Sequence, residues 1–186
     1  MYTIYATFSE MMRCTVKTQP MNVNDIAQLA RELVRILNEK QLKIAVAESL
    51  TGGLITAAIT GVSGASKVFE GGLCSYSERV KATFFHVGPQ LKKAGTAVDC
   101  KVALGMAEGV KKLMDSGIAI ATTGLAGPEG DDIHPVGTVF IAATGPEGCQ
   151  VKEFHFTGLD REGVRNEAVK AALQMALDVA NGRTTK

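Results

Sequence analysis

The sequence has no CxxC pair, no HExxH and no GxxxxGK[ST], and no stretch reaches the ~18 consecutive apolar residues that a membrane-spanning helix needs. Its four cysteines, Cys14, Cys74, Cys100 and Cys149, stand singly, with no histidine at ligand spacing. That pattern excludes a local zinc motif and reads as reduced thiols in a cytoplasmic protein. His86, His134 and His155 are equally far from one another in sequence, so no metal is expected. A basic excess is missing too: 20 Lys+Arg against 19 Asp+Glu leave a formal net charge of +1. Neither a nucleic acid nor a membrane surface is then an expected partner. The opening MYTIYATFSEMMRCTVKTQP lacks both the basic start and the apolar core of a secretory signal.

What remains is the composition of a soluble globular chain: 186 residues, 46% hydrophobic and 21% charged. Residues 1–22 read as a poorly ordered leader and 23–186 as a single domain. From Asn24 the residues Ile26, Leu29, Leu33 and Leu37 recur at helical spacing, which predicts an amphipathic helix to Glu39. Lys43 to Ala47 reads as a short buried strand, and Thr51-Gly52-Gly53 as the opening of a second helix. Further strands are expected at 72–77, 118–123, 136–143 and 150–157, the last two as a hairpin around Thr144–Gly148. Helices are expected at 78–85, from Asp99 to just before Gly117, and from Asp160 onward. Helices alternating with strands predict an α/β fold, a three-layer α/β/α sandwich whose mixed, mostly parallel sheet ends in a hairpin.

Three glycine-containing or polar loops follow predicted strands: AESLTGG, SYSERVK and TGLAGPEGDD. In an open α/β sheet such loops converge on a crevice beyond the carboxyl ends of the strands. Within AESLTGG, Ser49 fits a helix cap, an anion-binding turn or a nucleophile, three readings the segment leaves open. No GxSxG surrounds it, so a Ser-His-Asp hydrolase is disfavoured. Lys81 is the alternative base, provided it is desolvated, because bringing a lysine from about 10.4 to roughly 7 to 8 costs on the order of 4 kcal/mol. Gly124, Ala126 and Gly127 belong to a loop that reads as a substrate cradle of backbone amides or as a surface loop. Asp131 and Asp132 equally fit a divalent ion. Arg161 and Arg165, at i and i+4, share a helix face suited to a phosphate or carboxylate.

Taken in order, AESLTGG, SYSERVK, TGLAGPEG with PVGTVFIA, and LDREGVR resemble the CinA C-terminal domain family, whose stand-alone form is a nicotinamide-nucleotide amidohydrolase. The resemblance runs from about Asn24 to the C-terminus. It implies hydrolysis of the carboxamide of nicotinamide mononucleotide to nicotinate mononucleotide and ammonia, by a serine-lysine mechanism without cofactor, in pyridine nucleotide salvage. Carried over, Ser49 is the nucleophile, Lys81 its base and Tyr76 a hydroxyl that relays a proton or positions the lysine. Amides around Thr51, Gly52 and Gly53 stabilise the oxyanion, and Arg161 or Arg165 holds the nucleotide phosphate. The resemblance also implies a homo-oligomer. Leu50 departs from the cysteine usual at its position, and Asp99-Cys100 from the usual GAVSEPVA pattern. These departures leave two alternatives: an inactive nucleotide-binding or interaction module, or an amidase for a different carboxamide.

Overall fold

The computed structural model of the protein describes residues 13–14 and 23–184. The elements run β1 (Arg13–Cys14), α1 (Val23–Glu39), β2 (Ile44–Glu48), α2 (Leu54–Thr60), β3 (Phe69–Cys74), α3 (Glu78–Phe85), α4 (Gly88–Ala94), α5 (Cys100–Leu113), β4 (Ile118–Gly124), β5 (Thr138–Gly145), β6 (Gly148–His155) and α6 (Arg161–Ala180). One six-stranded sheet has the order β1-β6-β5-β4-β2-β3. The pairs β2-β3, β2-β4 and β1-β6 are parallel, whereas β4-β5 and β5-β6 are antiparallel. The mixed sheet with a closing hairpin is thus present, and Pro146 and Glu147 alone separate β5 from β6. Of the expected leader 1–22, residues 1–12 and 15–22 lie outside the described residues, and Arg13–Cys14 form β1 at the sheet edge.

Side-chain size differs between the two faces of the sheet. Ile44, Val46, Ile118, Ile120, Val139 and Ile141 point into the core beneath α1 and α6. The alternate residues Ala45, Ala47, Ala119, Ala121 and Ala142 face α5, with Phe140 the one large exception among these strand positions. Strand period two sorts these residues, and the alanine face lets α5 lie close. Glycines in α5 continue that closeness: a Cβ on Gly109 would meet Phe85 Cα at 2.7 Å. Helix α3 is therefore pressed onto α5.

Several expected boundaries move, and the hairpin strands lie at 138–145 and 148–155 instead of 136–143 and 150–157. The strand expected at 72–77 is found three residues earlier: the Ser75 N–H makes the last ladder bond, to the Glu48 carbonyl at 2.7 Å, and Ser77 already caps α3. The second helix starts at Leu54, since Gly52 and Gly53 take φ of 57° and 95°, left-handed values that make Thr51–Gly53 a turn rather than a first helical turn. Helix α4, absent from the sequence reading, is too short at seven residues to show a period.

Candidate active site

Strands β2, β3, β4 and β6 run in one direction, so the segments that leave their carboxyl ends meet at one edge of the sheet. There they enclose a cleft of about 390 Å³. Of the residues singled out from the sequence, Ser49, Tyr76, Lys81, Gly124, Ala126, Gly127 and Arg161 line it. Thr51, Gly52, Gly53 and Arg165 do not, and their side chains or amides are engaged elsewhere.

Ser49 reaches the cleft by strand parity. It continues the Ala45 and Ala47 face, the one that α3 and α5 cover, and is nearly buried. Lys81 is the fourth residue of α3, and helical side chains lean toward the N-terminus, which carries its ammonium back over the start of the helix. There Nζ lies 2.7 Å from the Ser75 carbonyl oxygen, 3.3 Å from that of Tyr76 and 3.0 Å from Ser49 Oγ. The side chain is enclosed, with the residue 2% exposed. Burial pushes the lysine down from its ordinary 10.5 to about 8, against the opposing influence of the Glu78 carboxylate.

The three neighbours of Nζ are not equivalent. Two are carbonyls, which only accept, and the third is a hydroxyl, which also donates. A neutral Lys81 has two N–H donors and one lone pair. With the N–H groups given to Ser75 and Tyr76, the lone pair is left for the Ser49 hydroxyl proton. The arrangement orients a general base toward a serine.

The turn after Ser49 is held from within the chain. Glu48 is fully buried, and its carboxylate accepts from the N–H groups of Gly53 (2.9 Å), Ile55 (3.2 Å) and Thr56 (2.9 Å) and from the Thr56 hydroxyl (2.7 Å). An anion therefore does sit at the start of α2, but it is the protein's own. The expected role of the Gly53 amide toward an oxyanion gives way to this cap, and the Gly52 amide is turned to the Ser49 carbonyl at 3.1 Å. Thr51 is buried, its hydroxyl 2.9 Å from that of Thr122.

Tyr76 is 66% exposed, and its phenol oxygen accepts from Arg161 Nη2 at 2.8 Å, while Arg161 Nη1 donates to the Gly127 carbonyl. Its hydroxyl is thus engaged at the mouth of the cleft, and its main-chain carbonyl is the part that touches Lys81. Arg165 instead donates to the carbonyls of Leu50 (3.0 Å) and Thr51 (3.1 Å). Gly124 is glycine because a Cβ there would stand 2.6 Å from the Thr138 carbonyl oxygen.

Thr96 and Asp131 also line the cleft; the sequence singles out Asp131 only as an ion ligand, and Thr96 not at all. Thr96 Oγ1 donates to Asp131 Oδ2 at 2.8 Å, and Asp131 Oδ1 also accepts from the amides of Ile133 and His134. Partial burial pushes the Asp131 carboxyl upward, but these hydrogen bonds outweigh it and hold the group below its ordinary value. Both Asp131 oxygens are thus engaged, one by Thr96 and the other by amides of its own loop. Among the described residues no group of three or more His, Cys, Asp or Glu side chains is placed to hold a metal ion. The departures at Leu50 and Asp99 also acquire structural places. Leu50 packs its side chain in the core on the α1 and α6 face, and Asp99 caps α5 by accepting from the amides of Lys101 and Val102.

Comparison with known proteins agrees with this architecture. A solved structure, the competence/damage inducible protein CihA from Agrobacterium tumefaciens, superposes with a TM-score of 0.81 at 33% identity, covering 88% of this chain and 99% of that one. The competence-damaged protein (CinA) superfamily protein from Escherichia coli gives 0.80 at 32% identity over 88% and 95%. A CinA-like protein of Geotalea daltonii is 47% identical over 131 residues, 70% of this chain and 32% of that protein. The chain spans about a third of the length of the curated relatives it matches. The family profile described as CinA C-terminal domain matches residues 26–180, nearly the whole described fold, and the chain belongs to that family.

Proposed function

We propose that this domain is an amidohydrolase that converts nicotinamide mononucleotide and water to nicotinate mononucleotide and ammonia. The observation that carries the reading is the enclosed Lys81 Nζ 3.0 Å from Ser49 Oγ, with the lysine lowered to about 8. Near neutral pH a useful fraction of such a lysine is an amine, and a general base works best with a pKa near the operating pH.

In the proposed cycle Lys81 takes the Ser49 proton as Oγ bonds to the carboxamide carbon. The resulting ammonium then gives a proton to the departing nitrogen as the C–N bond breaks, releasing ammonia and leaving an acyl-serine. Water, deprotonated by the again neutral Lys81, attacks the ester, and Ser49 regains its proton as nicotinate mononucleotide leaves. Arg161 lines the cleft, and in this reading its guanidinium holds the nucleotide phosphate through charge-assisted donors.

Ammonia release from nicotinamide mononucleotide by the purified protein tests the proposal. Wild type is expected to turn over, while Ser49→Ala and Lys81→Ala are expected to lose on the order of 10³-fold or more in kcat. Full activity in Ser49→Ala, or no ammonia from wild type, would sink it.

A further inference from the structure

We infer that Arg165 is a positioning residue that holds the oxyanion-binding peptide of the Ser49 turn, and not a ligand for the substrate phosphate. The inference rests on the reading of Ser49 as the nucleophile.

The main-chain hydrogen bonds of the turn carry the argument. In a trans peptide the C=O and N–H groups of one plane point in opposite directions. The Ser49 carbonyl accepts from the Gly52 N–H at 3.1 Å, so the N–H in the same plane, that of Leu50, points away from the turn's interior. The Leu50 side chain is buried in the core on the other face of the sheet, yet Leu50 lines the cleft beside Ser49. What it offers the cleft is its main chain. Among the described residues the N–H groups of Ser49, Leu50 and Thr51 have no main-chain partner, whereas those of Gly52, Gly53 and Leu54 are all taken. Of the three, the Leu50 N–H belongs to the peptide that follows the nucleophile and points away from the turn, which makes it the donor we assign to a developing oxyanion.

Arg165 fixes this arrangement from behind. Its Nε donates to the Leu50 carbonyl at 3.0 Å and its Nη2 to the Thr51 carbonyl at 3.1 Å, clamping the two peptide planes that follow the donor. The fit also explains Gly52. A Cβ at that position would stand 3.2 Å from Arg165 Nη2, and φ there is 57°. Arg161 and Arg165, one helical turn apart, thus divide the work between the cleft mouth and the turn.

The split between kcat and KM tests the inference. A shift of about 1 Å in a catalytic group costs on the order of 10²-fold. Arg165→Lys should therefore lower kcat for ammonia release by roughly 10- to 100-fold with KM little changed, whereas Arg161→Lys should mainly raise KM. A raised KM with kcat preserved in Arg165→Lys overturns the inference and makes Arg165 a substrate ligand. If that variant does not fold, Gly52→Ala presses a methyl toward the same guanidinium and is expected to show the same loss of kcat; an unchanged kcat overturns the inference. If wild type releases no ammonia, the substrate assignment fails separately, and the rate at which a fluorophosphonate labels Ser49 decides instead. Slower labelling in Arg165→Lys supports the clamp, while equal rates, or no labelling of Ser49 in wild type, overturn it.

Discussion

The Gly53 N–H donates to the Glu48 carboxylate at 2.9 Å, closing a loop in which the last residue of β2 caps the helix that follows it. Four donors share the two oxygens of this buried group. Glu48→Gln replaces one oxygen with an amide nitrogen that faces donors. Leaving buried hydrogen bonds to a charged group unmade costs about 2 to 3 kcal/mol. A lower urea midpoint is the expected outcome, together with reduced turnover because Ser49 sits on the same turn. An unchanged midpoint would show that the cap contributes nothing to stability.

Activity should follow the protonation of Lys81. The amine is the active form, and burial lowers the group to about 8, so kcat/KM is expected to rise with pH and level off above that value. A profile measured from pH 6 to 9.5 checks this. A flat profile across pH 7 to 9 would mean that the step being read does not depend on this base.

The same lysine links stability to pH. Folded, it titrates near 8, and with burial removed it returns to its ordinary 10.5. Between those values the unfolded chain binds more protons than the folded one, so stability rises with pH across the window. Below about 8 the penalty for a buried ammonium is fully present, and above 10.5 it is gone. Lys81→Met carries no titrating group there. The stability of wild type relative to this variant should therefore increase from pH 8 to 10.5 in matched urea titrations, and a constant difference would argue against a buried, lowered lysine.

At the mouth of the cleft the Tyr76 phenol is bonded to Arg161 rather than to Lys81 or Ser49. Tyr76→Phe is accordingly expected to alter KM for the nucleotide and leave kcat within a few-fold, and Arg161→Ala to raise KM about tenfold or more through lost charge-assisted bonds. A hundredfold fall in kcat for Tyr76→Phe at constant KM would return the hydroxyl to a proton-transfer role.

How much of this was legible beforehand depended on whether a feature was local. The ends of the helices at 78–85 and from Asp160 carry local signals, since the Ser77 and Asp160 side chains accept from amides of the first turn. The convergence of Ser49, Lys81 and the Gly124–Gly127 loop followed from three loops after parallel strands. The division of labour between Arg161 and Arg165 was not readable, since i and i+4 spacing puts both on one helix face and only the tertiary turn of residues 50 and 51 separates them. Glu48 was hidden for a similar reason. Its partners lie five to eight residues ahead, across a glycine turn whose left-handed φ values no pattern of apolar residues encodes.

The packing behind the site supplies the last prediction. Gly109 of α5 lies so close to α3 that a Cβ would meet Phe85 Cα and Cβ at 2.7 Å and the Phe85 carbonyl oxygen at 2.9 Å. Because those atoms include backbone, the methyl of Gly109→Ala can be relieved only by moving one helix from the other. Helix propensity alone would favour alanine here by up to about 1 kcal/mol. Overpacking typically costs about 1 to 3 kcal/mol, so after that gain a net loss of up to about 2 kcal/mol is expected. Lys81 stands one helical turn before Phe85 on α3, so the displacement reaches the base, and 1 Å of movement matters at a hydrogen-bonded pair. Gly109→Ala should therefore lower both the thermal midpoint and kcat although it touches no residue of the cleft. A variant more stable than wild type with full kcat would show that the contact between these helices does not set the position of Lys81.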